Sequence, residues 1–184
     1  MVWRTPPFRV DPRIDPRVTV FALGPWGGVH RSTILEIKER GRRDAVPAIG
    51  AVLGSAIRFL AARGELPDPS FLTLSPAPTR RRMARLRGGD PVTSVCRATG
   101  FTVVPLVHLR ASTADSVGLD AAARRANLAG AVRLNSPDPR GLRSPESVVL
   151  VDDVVTTGAT VSATVECLAA AGIKVMGVVA LTAA

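Results

Sequence analysis

The stretch Val148-Val149-Leu150-Val151-Asp152-Asp153-Val154-Val155-Thr156-Thr157-Gly158-Ala159-Thr160 decides the fold. Val148 to Val151 is an apolar run dominated by β-branched residues, the pattern of a strand buried on both faces. Two acids, Asp152 and Asp153, follow at once. A small-residue turn rich in hydroxyls then runs from Thr156 to Thr160. Val161, Val165, Leu168 and Ala169 recur at helical spacing, and Gly172 stands where a helix C-terminus belongs. The unit reads strand, loop, helix. Such a loop presents backbone N–H groups and threonine hydroxyls at a helix N-terminus, which suits a phosphate. The acids fall at the carboxyl end of the strand, where open α/β sheets bind ligands.

Working outward, the 184 residues suffice for one domain with a sizeable core, and 46% hydrophobic with 21% charged residues fits a globular chain. No apolar run is expected to approach the roughly 20 residues that span a bilayer. Met1 to Pro16 carries charges and four prolines but no apolar leader core. A cytoplasmic location and no membrane contact are therefore expected. Cys96 and Cys167 are far apart, with no Cys-x-x-Cys pair, so neither a zinc site nor a disulfide framework is indicated. The net charge of +9 comes almost wholly from arginine, since Lys38 and Lys174 are the only lysines. Arginine pairs well with phosphate, and a basic surface suits polyanions. The same bias also arises from a GC-rich coding sequence. Aromatic residues make up only 4% of the chain, too few for a base-stacking platform.

In chain order, residues 1–17 read as a proline-rich irregular arm, and 18–184 as the domain proper. Val18 to Leu23 predicts a strand. Thr33-x-x-Glu36 has the form of a capping box opening a short helix that Gly41 ends. Val46, Ile49, Leu53, Ile57 and Leu60 make the stripe of a long amphipathic helix ending near Gly64. Phe71 to Ser75 predicts the next strand, broken by Ser75-Pro76-Ala77-Pro78. Thr79 to Arg87 is dense in arginine. Asp90-Pro91 reads as an N-cap followed by proline at the first helical position. Thr102 to Leu106 predicts a further strand, and His108 to Thr113 is polar and unclassified. Asp120 can cap a short helix through Arg124 and Asn127, and Val175 to Leu181 predicts the last strand. Strands alternating with helices imply an α/β fold with an open, mostly parallel sheet flanked by helices and right-handed crossovers.

The thirteen-residue stretch resembles the ribose-phosphate motif of the type I phosphoribosyltransferases, and every position fits. Receiver domains also carry paired acids, but after their first strand, and a P-loop would need a lysine that is absent. The resemblance implies a type I phosphoribosyltransferase (Rossmann-like) fold with a small hood. By position, Thr156, Thr157, Gly158, Ala159 and Thr160 would hold the 5-phosphate of phosphoribosyl pyrophosphate (PRPP). Asp152 and Asp153 would hold the ribose, with Mg²⁺ bridging ribose and pyrophosphate rather than bound directly by the protein.

Further segments are similar to the ComF family, phosphoribosyltransferase-like proteins associated with competence. Leu35, Ile37, Lys38, Gly41 and Arg42 fit one of its segments, Pro76, Ala77, Pro78, Arg87 and Gly88 a second, and Leu119, Arg124 and Asn127 a third. The family's usual N-terminal zinc module is missing, Gly89-Asp90 replaces its Phe-Asn, and Ser116 replaces its Gln. This resemblance implies a pyrophosphate loop at Ser75, Pro76, Ala77 and Pro78, and hood contacts from Arg124 and Asn127. The plainer readings are a strand terminator and a surface helix. Lys38 and Arg42 share a helix face, which reads first as an exposed basic face and otherwise as a phosphate or partner contact. His30 and His108 are isolated and carry no assigned role.

The activity so implied is glycosyl transfer: phosphoribose passes from PRPP to a nucleobase-like acceptor through an oxocarbenium-like carbon. A PRPP- or nucleotide-binding module without chemistry and a DNA-uptake accessory contacting single-stranded DNA are the alternatives. A homodimer is common among such folds.

Overall fold

The computed structural model describes Trp3 and residues 5–39, 41–79, 89–110, 130–135 and 147–184. Among these residues a six-stranded sheet has the order β1-β2-β8-β7-β3-β4. The strands are β1 (Phe8–Val10), β2 (Val20–Ala22), β3 (Leu72–Pro76), β4 (Thr102–Val103), β7 (Ser147–Val155) and β8 (Val175–Ala183). Only the β1–β2 pairing is antiparallel; the other four are parallel. A separate antiparallel ribbon joins β5 (Val107–Leu109) to β6 (Val132–Leu134). The helices are α1 (Gly28–Glu39), α2 (Val46–Ala62), α3 (Pro91–Arg97) and α4 (Ala159–Ala170). This is the mostly parallel α/β sheet that the alternation of strands and helices predicts.

The central strand β7 explains the layering. Its side chains alternate between the two faces, as strand geometry requires. Val149 and Val151 pack into one apolar cluster with Ile34 and Ile37 of α1, Leu53 and Ile57 of α2, and Val95 of α3. Val148 and Leu150 pack into the other, with Val161 and Leu168 of α4 and Val107 and Val132 of the ribbon. Both faces are covered, so β7 can be apolar along its length without exposing anything.

Several elements differ from expectation. β7 does not stop at Val151. It runs on to Val155, paired with β8 through Val155↔Ala183, so both acids lie inside the strand. The arm is not wholly irregular: β1 pairs with β2, and the buried Trp3 donates its indole N–H to the Leu181 carbonyl at 3.2 Å. α1 begins at Gly28, five residues before the expected cap. Thr33 is therefore internal, and its hydroxyl bonds back to the Val29 carbonyl at 2.8 Å. The Thr102–Leu106 strand shortens to two residues because Pro105 has no N–H for the ladder. The unclassified polar segment supplies β5. The expectation at α3 holds: Asp90 is the N-cap, accepting from the Thr93 N–H at 2.8 Å, with Pro91 next.

The residues Arg43–Ala62 are 20 long with a mean hydropathy of 1.7. By length and composition they suffice to cross a membrane, which corrects the expectation that no run comes near that size. Here α2 lays Ile49, Leu53, Ile57 and Leu60 into the core. Proline near its first turn sets the start, as the fixed φ of proline favours.

Candidate functional site

The loop after β7 is built by one backbone constraint. Gly158 is the N-cap of α4 and adopts φ 83°, ψ 0°, the left-handed conformation that side chains resist. The turn brings Ala159 into the first helical position directly behind the strand end. The first-turn N–H groups of a helix have no intrahelical partners, and α4 has no acid in that turn to compete for them. The Thr157 hydroxyl accepts from the Ala159 N–H at 3.4 Å. Thr160 is tied in through its carbonyl, which accepts from the Thr164 hydroxyl at 2.7 Å. Thr156 is exposed, Thr157 and Thr160 are half-buried, and Gly158 and Ala159 are buried. The five residues form a cradle, the tight polar turn that opens α4, and helix N-termini of this kind favour anions.

The cradle is braced from the arm. The Ile14 N–H donates to the Thr157 carbonyl at 2.9 Å. A Cβ on Gly158 would lie 2.6 Å from the Ile14 carbonyl oxygen and 2.8 Å from Pro12 Cβ. Glycine is thus required at 158 twice, by conformation and by this close approach. The Thr-Thr-Gly-Ala-Thr pattern announces the first reason; the second depends on an arm about 145 residues earlier and has no signature in the local sequence.

The two acids sit side by side in β7 but face opposite ways. Asp153 continues the Val149–Val151 face and forms an ion pair with Lys38 of α1 through its Oδ2. It lines a small pocket there with Ile34, Ile37, Val92 and Leu181. Its Oδ1 accepts from the Val154 N–H at 2.8 Å. Lys38 was expected on an exposed face, and this contact corrects that reading. Because the Lys38 side chain is 38% exposed, the pair adds only about 1 kcal/mol or less to folding. Arg42, by contrast, lies on the surface, paired with Asp44 at 2.7 Å.

Asp152 is buried, on the face of Val148 and Leu150. Its Oδ1 accepts from the Asp153 N–H at 2.8 Å. Burial pushes its carboxyl well above the usual range, the neighbouring Asp153 charge raises it further, and Lys38 pulls the other way. Adjacent acids in such unequal settings mark a candidate site.

The segment Ser75 to Pro78 lies beside the acids. β3 neighbours β7 with Pro76↔Val151, and the Ala77 N–H donates to the Val151 carbonyl at 2.7 Å. That bond consumes the Ala77 donor, and Pro76 and Pro78 have none. A turn offering several N–H groups to a leaving group is therefore not what these four residues form. The Ser75 hydroxyl instead accepts from the Leu106 N–H at 3.3 Å and ties β3 to the ribbon. The ribbon is the small element beside the sheet. It packs on α4, and the Arg110 N–H donates to the Ala131 carbonyl at 2.9 Å, closing its far end. Arg124 and Asn127, together with Leu119 and Ser116, lie outside the described residues, as do Arg87 and Gly88.

A mostly parallel sheet with helices on both faces, with a glycine turn after a central strand that carries two acids, is consistent with the type I phosphoribosyltransferase fold. Residues 98–184 match the family model described as phosphoribosyl transferase domain. The match spans β4 to the end of β8, so it includes the cradle and both acids but neither Lys38 nor Ser75 to Pro78. Among the curated proteins, none matches the chain.

Proposed function

We propose that this protein binds PRPP at the β7–α4 loop and transfers its phosphoribosyl group to a nucleobase-like acceptor. The observation that carries the reading is the left-handed turn at Gly158, which opens a helix with no acid in its first turn directly after the strand that carries Asp152. The cradle takes the 5-phosphate through backbone N–H groups and the hydroxyls of Thr157 and Thr160. With the phosphate anchored there, the ribose extends toward the acids of β7. The carboxyl of Asp152 meets a sugar hydroxyl and sits near the ring where positive charge develops.

The reaction forms a bond from the acceptor nitrogen to the anomeric carbon and breaks the bond from that carbon to pyrophosphate. The electron pair leaves with pyrophosphate, and the acceptor proton passes to solvent. No protein nucleophile takes part. The chain contributes position and electrostatics.

Hard carboxylate oxygens are the donors Mg²⁺ prefers, and Asp152 and Asp153 provide them. The described residues hold no group of three or more His, Cys, Asp or Glu side chains that could hold a metal. Asp152 and Asp153 would lie near Mg²⁺ brought in with PRPP, and the ion would supply charge neutralisation for pyrophosphate.

Membership of the ComF family is part of the proposal. The Lys38 segment that carries the resemblance reaches the site through Asp153, which supports it. Calorimetry of PRPP with Mg²⁺, followed by pyrophosphate release over a panel of bases, tests the reading. Binding without release on any base would leave a sensing module; no binding would end the proposal. Thr157→Val is expected to lower affinity for ribose 5-phosphate about tenfold or more, since hydrogen bonds to charged groups are strong. Equal affinity in both proteins would contradict the cradle assignment.

The net charge of +9 favours one second reading, a contact with single-stranded DNA. That reading requires binding that weakens steeply with salt. Absent or salt-insensitive binding removes it.

A further inference from the structure

The two acids, paired in sequence, are not equivalent in space. Both oxygens of Asp153 are engaged on the α1 side: Oδ2 by the Lys38 ammonium, Oδ1 by the Val154 N–H at 2.8 Å. Asp152 points to the opposite face, toward α4 and the ribbon. Its Oδ1 takes the Asp153 N–H at 2.8 Å, and its carboxyl stays close enough to the Asp153 carboxyl to be raised by it. Lys38 comes from a part of the chain outside the matched 98–184 region, yet it pairs with one of the acids.

We infer that Lys38 is a positioning residue of this site: it holds Asp153 against α1 and leaves Asp152 as the acid that meets the sugar. This rests on the PRPP reading and sharpens it, because the two acids then have separate tasks. Two adjacent carboxylates repel, and a fixed ammonium at one of them keeps the strand end in a single arrangement. Removing only the ammonium leaves an uncompensated, mostly buried carboxylate, which would turn away to find water or another cation. The neighbouring Asp152 would move with it, since its Oδ1 is bonded to the Asp153 backbone.

The test is a double-mutant cycle over Lys38→Met and Asp153→Asn, with Lys38→Arg and Asp152→Asn alongside. PRPP–Mg²⁺ affinity and the thermal midpoint are measured for each protein. Lys38→Met and Asp153→Asn are each expected to lose roughly tenfold in affinity, and the double variant no more than either single one. Lys38→Arg should recover most of the loss, which a mere packing role for the lysine stem would not predict. Asp152→Asn should lose far more than Asp153→Asn. The inference is overturned if Lys38→Met binds like wild type, if the two losses add, or if the two aspartate variants are equally impaired. Should Lys38→Met fail to fold, the comparison of Asp153→Asn with Asp152→Asn decides alone. A wild-type protein that takes up no PRPP sinks the ligand reading and this inference together; wild-type binding with an unaffected Lys38→Met sinks this inference only.

Discussion

Asp152→Asn is expected to melt at a higher temperature than wild type at neutral pH while losing at least about a hundredfold in affinity for PRPP with Mg²⁺. Burial, then the Asp153 charge, raises the Asp152 carboxyl well above the ordinary range. The native state therefore releases this proton at a higher pH than the unfolded chain does. Protonation of this group stabilises the fold fully below about pH 4, the unfolded value. That stabilisation is lost as pH rises from there through the raised native value. Asparagine keeps the shape and the oxygen that accepts the Asp153 N–H, but has no charge to bury. Scanning calorimetry at acid and neutral pH checks the sign: the gain should be present at neutral pH and vanish toward pH 4. A variant less stable than wild type at neutral pH would contradict the account. Adding Asp153→Asn should deepen the binding loss without unfolding the protein, and unchanged affinity in that double variant would remove both acids from the site.

Gly158→Ala should be the most damaging single methyl in the loop. An L-residue held at φ 83° costs about 1–2 kcal/mol. The added carbon must also displace the Ile14 carbonyl, 2.6 Å away, and Pro12. Overpacking of that kind typically adds about 1–3 kcal/mol. Gly172→Ala supplies the control. Its φ is 76°, but nothing lies within 4 Å of the new carbon, so only the conformational cost applies. Urea unfolding should place Gly158→Ala well below Gly172→Ala, with weaker PRPP binding in the former alone. Equal midpoints would mean that the arm yields freely and does not brace the cradle.

The part of this structure legible in the sequence is the part whose cause is local. The β7–α4 unit was readable because apolar run, acids, turn and helix stripe follow one another without interruption. The cap at Asp90 and the stripe of α2 were readable for the same reason. The failures are all long-range or permissive. β1 forms because an edge of β2 is open to it, and nothing in Phe8–Val10 demands that pairing. The start of α1 was misplaced because Thr33 can cap a helix or bond back within one, and only tertiary context chooses. The ion pair of Lys38 with Asp153 depends on two elements meeting across the sheet, so no spacing rule could reveal it. The donors of Ser75 to Pro78 were misjudged because strand pairing carries on past Pro76 and consumes the Ala77 N–H.

The hydrogen bond from Ile14 to Thr157 has a kinetic consequence. A contact between such remote positions closes a very large loop, and loops of that size close slowly. During synthesis the first strand and its flanking arm leave the ribosome long before their partner exists. The brace between the arm and the β7–α4 loop therefore waits for residue 157, and β8, which joins β2 to β7, is made later still.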